Sequence, residues 1–314
     1  MKYLVTGGAG FIGSHITERI LNEGHLAVVL DNFVTGRESN LDFVKDIKPA
    51  PGAYRLIKGS ITDYNVCLDA CKGVDVVFHE AALKSVPKSM KDPYSFNDVN
   101  INGMLTLLRA CKECGVKRVV FASSSSVYGK TDKFPQQEDA YPLLISPYAL
   151  TKLAGEYYMR IFSENYGLET VAIRYFNVFG PRQALDDEYS AVIPKFISCV
   201  KKGENPPVFG DGKQSRDFTY VKNVVDANLL AANVKGVKCE VMNVACGQEV
   251  NLLYIVDCLN KILNKNVVPS FLPKRAGDLY RSFADISRAK KILSYKPGVT
   301  FEEGLKKTVE WFNV

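Results

Sequence analysis

"KYLVTGGAGFIGSH", residues 2 to 15, decides the fold. A short apolar run, KYLVT, ends in glycines, and an apolar-periodic segment from about Phe11 to Glu23 follows. The stretch therefore predicts a strand, a tight turn and a helix. Its glycines read as Gly8-x-Gly10-x-x-Gly13 and equally as Gly7-x-x-Gly10-x-x-Gly13. Either spacing lets the backbone turn sharply and approach a pyrophosphate, whose charge meets the N-terminus of the helix. A second strand, LAVVLD, ends at Asp31, 18 residues after Gly13. That is close to the spacing of about 20 at which a dinucleotide-binding unit places an acid for the ribose hydroxyls. A carboxylate there repels a 2′-phosphate, so NAD is favoured over NADP, with Arg37 as the one nearby feature that pulls the other way.

Outward from this unit the rhythm continues. YRLIKG reads as a third strand, followed by a helix that Asp63 is suited to cap. VDVVFHEAA is a fourth, and Asp92-Pro93 then opens a long helix. KRVVFASS is a fifth strand, SPYALTKLAGEYYMRIFSENY a long helix, and ETVAIRYF a sixth strand. Continuous apolar strands separated by helices predict a parallel sheet covered on both faces. The expected fold class is α/β, a doubly wound parallel sheet (Rossmann) with a second, smaller α/β substrate-binding lobe. Residues 1–175 are expected to form the NAD-binding domain and residues 176–314 mainly the substrate lobe, with part of the chain crossing back.

The 314 residues allow two such units, and 46% hydrophobic with 24% charged residues fits an ordinary globular composition. The net charge of +6 is spread along the chain, with no basic block interleaved with aromatics, so no nucleic-acid partner is expected. No apolar run reaches the length of a membrane span, and the N-terminus runs straight into the glycine turn rather than a cleavage site. A cytoplasmic location with eight reduced cysteines follows as the expectation. Cys111 and Cys114 form a lone CxxC in a helical pattern with only three histidines in the chain, so packing is expected and a metal is not.

Chemistry is suggested further along. Tyr148 and Lys152 stand one helical turn apart just after Ser146-Pro147. A phenol titrates near pH 10, and a nearby ammonium with a positively charged nicotinamide ring would favour its ionised form. The run Ser123-Ser124-Ser125-Ser126 lies at the carboxyl end of strand five and points at the same edge of the sheet.

At this point the chain resembles the NAD-dependent epimerase/dehydratase family, the nucleotide-sugar branch of the extended short-chain dehydrogenases/reductases. The resemblance rests on GGAGFIG, LDNF, HEAA, the serine run with VYG, YxxxK, RYFNVFGPRQ, GDGKQSRDF and RAGDLYRSFAD, in order along essentially the whole chain. Aligned on Val127-Tyr128-Gly129, it implies Ser124, Tyr148 and Lys152 as the catalytic set. It implies NAD contacts from Gly7, Gly10, Phe11, Ile12, Gly13, Asp31, Asn32, Gly36, Ile61, Asp63, Ala81 and Lys84, with Tyr148 and Lys152. It also implies sugar-nucleotide contacts from Ser85, Ser124, Ser125, Tyr148, Asn177, Val192, Lys195, Val208, Arg216, Arg275, Asp278 and Ser282. Asn100 matches a position near the nicotinamide and sugar, and dimerisation through paired helices is implied as well, making a homodimer the expected assembly.

The family's dehydratases carry an acid pair, or a serine and an acid, after the residue matching Ser124, and its decarboxylases carry a glutamate there. Here Ser125 and Ser126 follow, which cannot serve as a general acid/base pair at neutral pH. The resemblance thus implies a UDP-hexose 4-epimerase, with a 4,6-dehydratase, a decarboxylase and a non-catalytic NAD-binding module as the alternatives. The small Ser282 favours acetylated sugars and KSVPKSMKDP resembles UDP-N-acetylglucosamine 4-epimerases, whereas Lys84 matches UDP-glucose 4-epimerases. Use of both substrate pairs is the expectation.

Overall fold

The computed structural model describes residues 1–184, 192–274 and 279–312. Its first half runs β1 (Lys2–Thr6), α1 (Phe11–Asn22), β2 (Leu26–Asp31), α2 (Phe43–Ile47), β3 (Tyr54–Lys58), α3 (Tyr64–Cys71) and β4 (Val76–His79). It continues with α4 (Val86–Lys91), α5 (Pro93–Asn97), α6 (Gly103–Glu113), β5 (Arg118–Ser124), α7 (Pro147–Tyr166) and β6 (Glu169–Tyr175). The single long helix expected after Asp92-Pro93 is α5 and α6 joined by a π-helical stretch at Asp98–Asn102. Asp63 and Asp92 cap α3 and α5 by accepting from backbone N–H groups.

After β6 come β7 (Val178–Phe179), α8 (Val192–Lys202), β8 (Pro207–Phe209), β9 (Ser215–Arg216), β10 (Thr219–Tyr220) and α9 (Val221–Asn233). Then follow β11 (Cys239–Val244), β12 (Val250–Asn251), α10 (Leu252–Leu263), β13 (Ser270–Leu272), β14 (Arg281–Ser282), α11 (Ser287–Leu293) and α12 (Phe301–Trp311).

Seven strands form one sheet in the order β3-β2-β1-β4-β5-β6-β11, every pair parallel. Alternate side chains feed the two faces: Tyr3 and Val5 enter one core with Ile16 and Ile20 of α1 and Val224 of α9. Leu4 enters the other with Cys67 of α3, Leu107 and Cys111 of α6, and Met159 of α7. This is the doubly wound arrangement, and its strand order reverses between β1 and β4. The loops leaving those two strands diverge there, which opens a crevice at their carboxyl ends.

The later strands make small sheets beside this edge, with β9 between β12 and β14, and β8 against β13. Asp217, just past β9, is fully buried and accepts from the N–H groups of Cys246 and Gly247, both at 2.9 Å. It thereby ties the end of β11 to the smaller lobe, and burial lifts its carboxyl to about 6. Among the described residues no helix is long and apolar enough to cross a membrane.

Candidate active site

The crevice between β1 and β4 holds a cavity of about 420 Å³. Gly7, Gly10 and Gly13 line it, so the Gly7-x-x-Gly10-x-x-Gly13 spacing is the one at the ligand edge. Gly7 has φ +68°, and a Cβ there would lie 2.7 Å from the backbone N of Ala81. A Cβ on Gly13 would fall 2.3 Å from the carbonyl oxygen of Gly7. The turn therefore closes only with glycine at these points. Gly10 precedes α1 with no side chain capping it, so the first N–H groups of the helix face the crevice free of a capping side chain.

Asp31 ends β2 in the same wall and is held from two sides. Its carboxylate accepts from the N–H of Ala9 at 2.9 Å and of Phe33 at 2.8 Å. Gly36 packs against it so closely that a Cβ would come within 2.7 Å of Oδ1. A cradle for a pyrophosphate, a fixed acid for a ribose and a Tyr/Lys pair at the far end fit a nicotinamide dinucleotide. Phe11, Ile12, Asn32, Ile61, Ala81 and Lys84 line the cavity as well. Asp63 instead caps α3, with Oδ1 2.9 Å from the N–H of Asn65.

The far end is built by α7 and β5. Ser146 caps α7 by accepting from the N–H of Ala149 at 3.2 Å, and Pro147 occupies the first turn. Tyr148 and Lys152 consequently leave the same face. Phe96 packs edge-on to the Tyr148 ring at 6.3 Å. Ser124 lies beside the Tyr148 side chain and draws its pKa down, while its own Oγ accepts from the N–H of Ser126 at 3.2 Å. The Lys152 ammonium, 4% exposed, donates to the carbonyl of Ala122 at 2.7 Å and lies 5.9 Å from the Tyr148 ring centre. Burial lowers Lys152 to about 8.

The expectation that Lys152 would pull Tyr148 toward its ionised form needs correction. Burial pushes the phenol above its ordinary value, the Ser124 side chain draws it back, and the charge of Glu80 adds to the rise. Desolvation is the largest cause, and the Lys152 ammonium is engaged by the Ala122 carbonyl rather than by the phenol. The protein alone keeps Tyr148 neutral.

Behind these groups lies a buried web whose charged members, Glu156, Arg174 and Glu80, sequence reading missed. Ser123 donates to Glu156 at 2.5 Å, and Glu156 receives the Arg174 guanidinium through two bonds of 2.8 and 2.9 Å. That pair joins α7 to β6 directly behind the serine run. Asn100 donates to Thr151 at 3.0 Å and exchanges hydrogen bonds with both backbone groups of Leu83. Its amide thus braces the loop after β4 against α7. Glu80 lines the cavity and accepts from the Tyr175 hydroxyl at 2.8 Å.

The remaining implied residues are spread over the smaller lobe and nearby loops. Ser85, at φ +104°, caps α4 by accepting from Lys88 N–H at 3.3 Å. Ser125 begins a 3-10 turn, Ser125–Tyr128. Asn177 has φ +31° and donates to the Asp217 carbonyl at 3.1 Å. Val192 and Lys195 lie on α8, Val208 is buried in β8, and Arg216 ends β9. Ser282 of β14 is buried and donates to Gln136 Oε1 at 3.0 Å. Arg275 and Asp278 lie outside the described residues.

The family model described as "NAD dependent epimerase/dehydratase family" matches residues 3–245. The chain belongs to that family. A UDP-glucose 4-epimerase of Mycolicibacterium smegmatis is 37% identical to this epimerase/dehydratase over 99% of this chain and 98% of its own. The structure of a UDP-N-acetylglucosamine 4-epimerase from Methanobrevibacter ruminantium, in complex with UDP-N-acetylmuramic acid, superposes with a TM-score of 0.93. It is 42% identical, covering 99% of this chain and 98% of that one. The UDP-glucose 4-epimerase of Thermus thermophilus in complex with NAD gives 0.87 and 33% identity over 100% and 99% of the two chains. The family is NAD-dependent.

One titration can be read out separately from the chemistry. His15 of α1 donates through Nε2 to the Pro181 carbonyl at 3.0 Å, and burial with the Arg182 charge lowers it to about 4. Its folded value lies below the unfolded 6.5, so its contribution is whole above pH 6.5 and is lost as pH falls toward 4. Urea titrations of wild type and His15→Asn at pH 7 and pH 4 should show the wild type losing about 3 kcal/mol more than the variant. An equal loss in both proteins removes His15 from that role.

Proposed function

We propose that this chain is a UDP-hexose 4-epimerase, interconverting UDP-N-acetylglucosamine with UDP-N-acetylgalactosamine and UDP-glucose with UDP-galactose. The observation that carries the reading is Tyr148 and Lys152 on one face of α7, with Ser124 beside Tyr148, at the end of a dinucleotide cradle and with no acid at positions 125 and 126. NAD, when bound, supplies the reversible redox step at the sugar's C4. Tyr148 accepts the proton of the 4-hydroxyl and later returns it, while Ser124 hydrogen-bonds the same oxygen. The Lys152 ammonium, together with the positive nicotinamide ring when NAD is bound, offsets the burial that keeps Tyr148 neutral in the protein alone. Between the two proton transfers the keto sugar turns over within the site, so the wall opposite C4 has to leave room.

Residues 1–175 bind the cofactor in this reading, and residues 176–314 hold the nucleotide sugar apart from β11, which returns to the sheet. Asn177, Arg216, Arg275 and Asp278 take the diphosphate and uridine, and Val192, Lys195 and Val208 form the shelf under the base. The small Ser282 leaves space for an acetamido group. A homodimer is proposed as well, and the exposed stripe Leu150, Tyr157 and Ile161 along α7 supports it.

A 4,6-dehydratase or decarboxylase remains the competing reading, and it lacks its acid here. Ser126 Oγ is buried without a hydrogen-bond partner and has no acidic neighbour in the turn to replace a glutamate. The test is to incubate the purified protein, without added NAD, with each of the four nucleotide sugars and separate the C4 epimers. Interconversion of at least one pair is expected. A stable 4-keto product, released carbon dioxide, or no conversion of either pair overturns the epimerase reading.

A further inference from the structure

Glu80 stands in the middle of the candidate site with no role so far. It follows His79 at the end of β4, and its backbone N–H donates to the Thr6 carbonyl at 3.1 Å. This fixes it at the switch point between β1 and β4. Its carboxylate lines the same cavity wall as Tyr148 and Lys152. A hydrogen-bond chain holds it from behind. The Tyr175 hydroxyl donates to Oε1 at 2.8 Å, and the same hydroxyl oxygen receives Asn228 Nδ2 at 2.8 Å. Asn228 is itself anchored on α9 through a 2.8 Å bond to the Val224 carbonyl. Three elements therefore keep one carboxylate in the cavity that Tyr148 and Lys152 also line.

A buried carboxylate so held has to answer to the charges around it. It shares the cavity with Lys152 and Tyr148 of α7, and from β6 the Tyr175 hydroxyl donates to it. His79, its neighbour on β4, bonds Thr6 Oγ1 at 2.8 Å, and burial keeps it neutral. Lys84, Asp31, Arg37 and Arg182 line the same cavity. Lys152 is the cation that couples to it: burial drives the ammonium toward neutrality, and Glu80 is the charge that opposes this.

We infer that Glu80 is a positioning residue of the catalytic set: its carboxylate, clamped by Tyr175 and Asn228, keeps the Lys152 ammonium charged in a site that would otherwise discharge it. The inference deepens the epimerase reading and rests on it for the roles of Tyr148 and Lys152. The carboxylate works against Tyr148 at the same time, since its charge disfavours the phenolate. The site therefore accepts a less acidic phenol in exchange for a lysine that stays positive at working pH. Burial raises Glu80 itself to about 7 while Tyr175 and Lys152 hold it down. It is therefore largely ionised above about pH 7, where Lys152, at about 8, begins to lose its proton.

The test follows Lys152 directly. The NAD-loaded protein is acetylated briefly with acetic anhydride across pH 6 to 10, and modification of the Lys152 peptide is read by mass spectrometry. In Glu80→Gln the labelling midpoint of Lys152 should fall by about one pH unit. The alkaline limb of kcat should move with it, costing up to about tenfold in turnover on that limb. Glu80→Asp should restore both. If Glu80→Gln does not fold, Tyr175→Phe withdraws the hydroxyl that holds the carboxylate and should shift the midpoint the same way by less. A midpoint that stays at the wild-type value in the folded variant, with turnover lost evenly at every pH, overturns the inference. A shifted midpoint in a protein that turns over none of the four sugars sustains it and defeats the epimerase reading instead.

Discussion

Tyr148→Phe lowers kcat by roughly 10²- to 10⁴-fold, the usual weight of a positioned acid/base, while the protein keeps its NAD. The ring survives this change, so its edge-on packing against Phe96 and the fold of α7 are retained. Only the hydroxyl is lost, and its neighbours do not take its place: the Glu80 carboxylate is engaged by the Tyr175 hydroxyl. Ser124 is an alcohol whose proton is held far above neutral pH, and Lys152 is committed to the Ala122 carbonyl. Epimer formation and the NAD content of the denatured protein, measured on the same preparation, check the two halves together. Full turnover in the variant would take Tyr148 out of the mechanism; loss of NAD together with turnover would assign it to cofactor binding.

The second large effect comes from the glycine turn. Gly13→Ala places a methyl group 2.3 Å from the Gly7 carbonyl oxygen and 2.9 Å from Gly8 Cα. Backbone on both sides has to move, and it is the same backbone that meets the pyrophosphate. Overpacking of this kind costs about 1–3 kcal/mol, which, if it falls on the bound state, corresponds to a roughly 5- to 150-fold weaker Kd for NAD. Calorimetric titration of stripped protein measures it. Gly298→Ala, where an added Cβ meets nothing within 4 Å, is the matched control and should bind as wild type does. Equal affinity in both variants would mean that the cofactor does not lie along this turn.

Much of the sheet was legible because each strand is short, apolar and bounded. KYLVT, LAVVLD and KRVVFASS sit between glycine turns and helix caps, and period-two burial on both faces leaves no alternative layer for them. Ser146-Pro147 announced α7, and with it the placement of Tyr148 and Lys152. The buried charges were not legible. Glu156 lies in a helix rich in ordinary surface residues, and Arg174 pairs with it across 18 positions of sequence. Glu80 looks like one more residue of a strand end until β6 and α9 close over it. Asp217 is held by backbone N–H groups from loops that a linear pattern does not bring together. Burial also reversed the expected direction for Tyr148, because spacing reveals which groups are close but not how much water they have lost.

The return of β11 to the sheet has a consequence for anyone redesigning this enzyme. Cys239–Val244 pairs with Thr170–Tyr175 along its whole length. Cutting the chain after residue 175 would strip the outermost stave, β11, from the sheet and leave β6 as a raw edge, open to pairing with a second molecule. A chimera that borrows its sugar specificity from a relative therefore needs two crossovers, one on each side of β11, so that the host keeps its own seventh strand. Transplanting the entire C-terminal half would exchange sheet and specificity as a single inheritance.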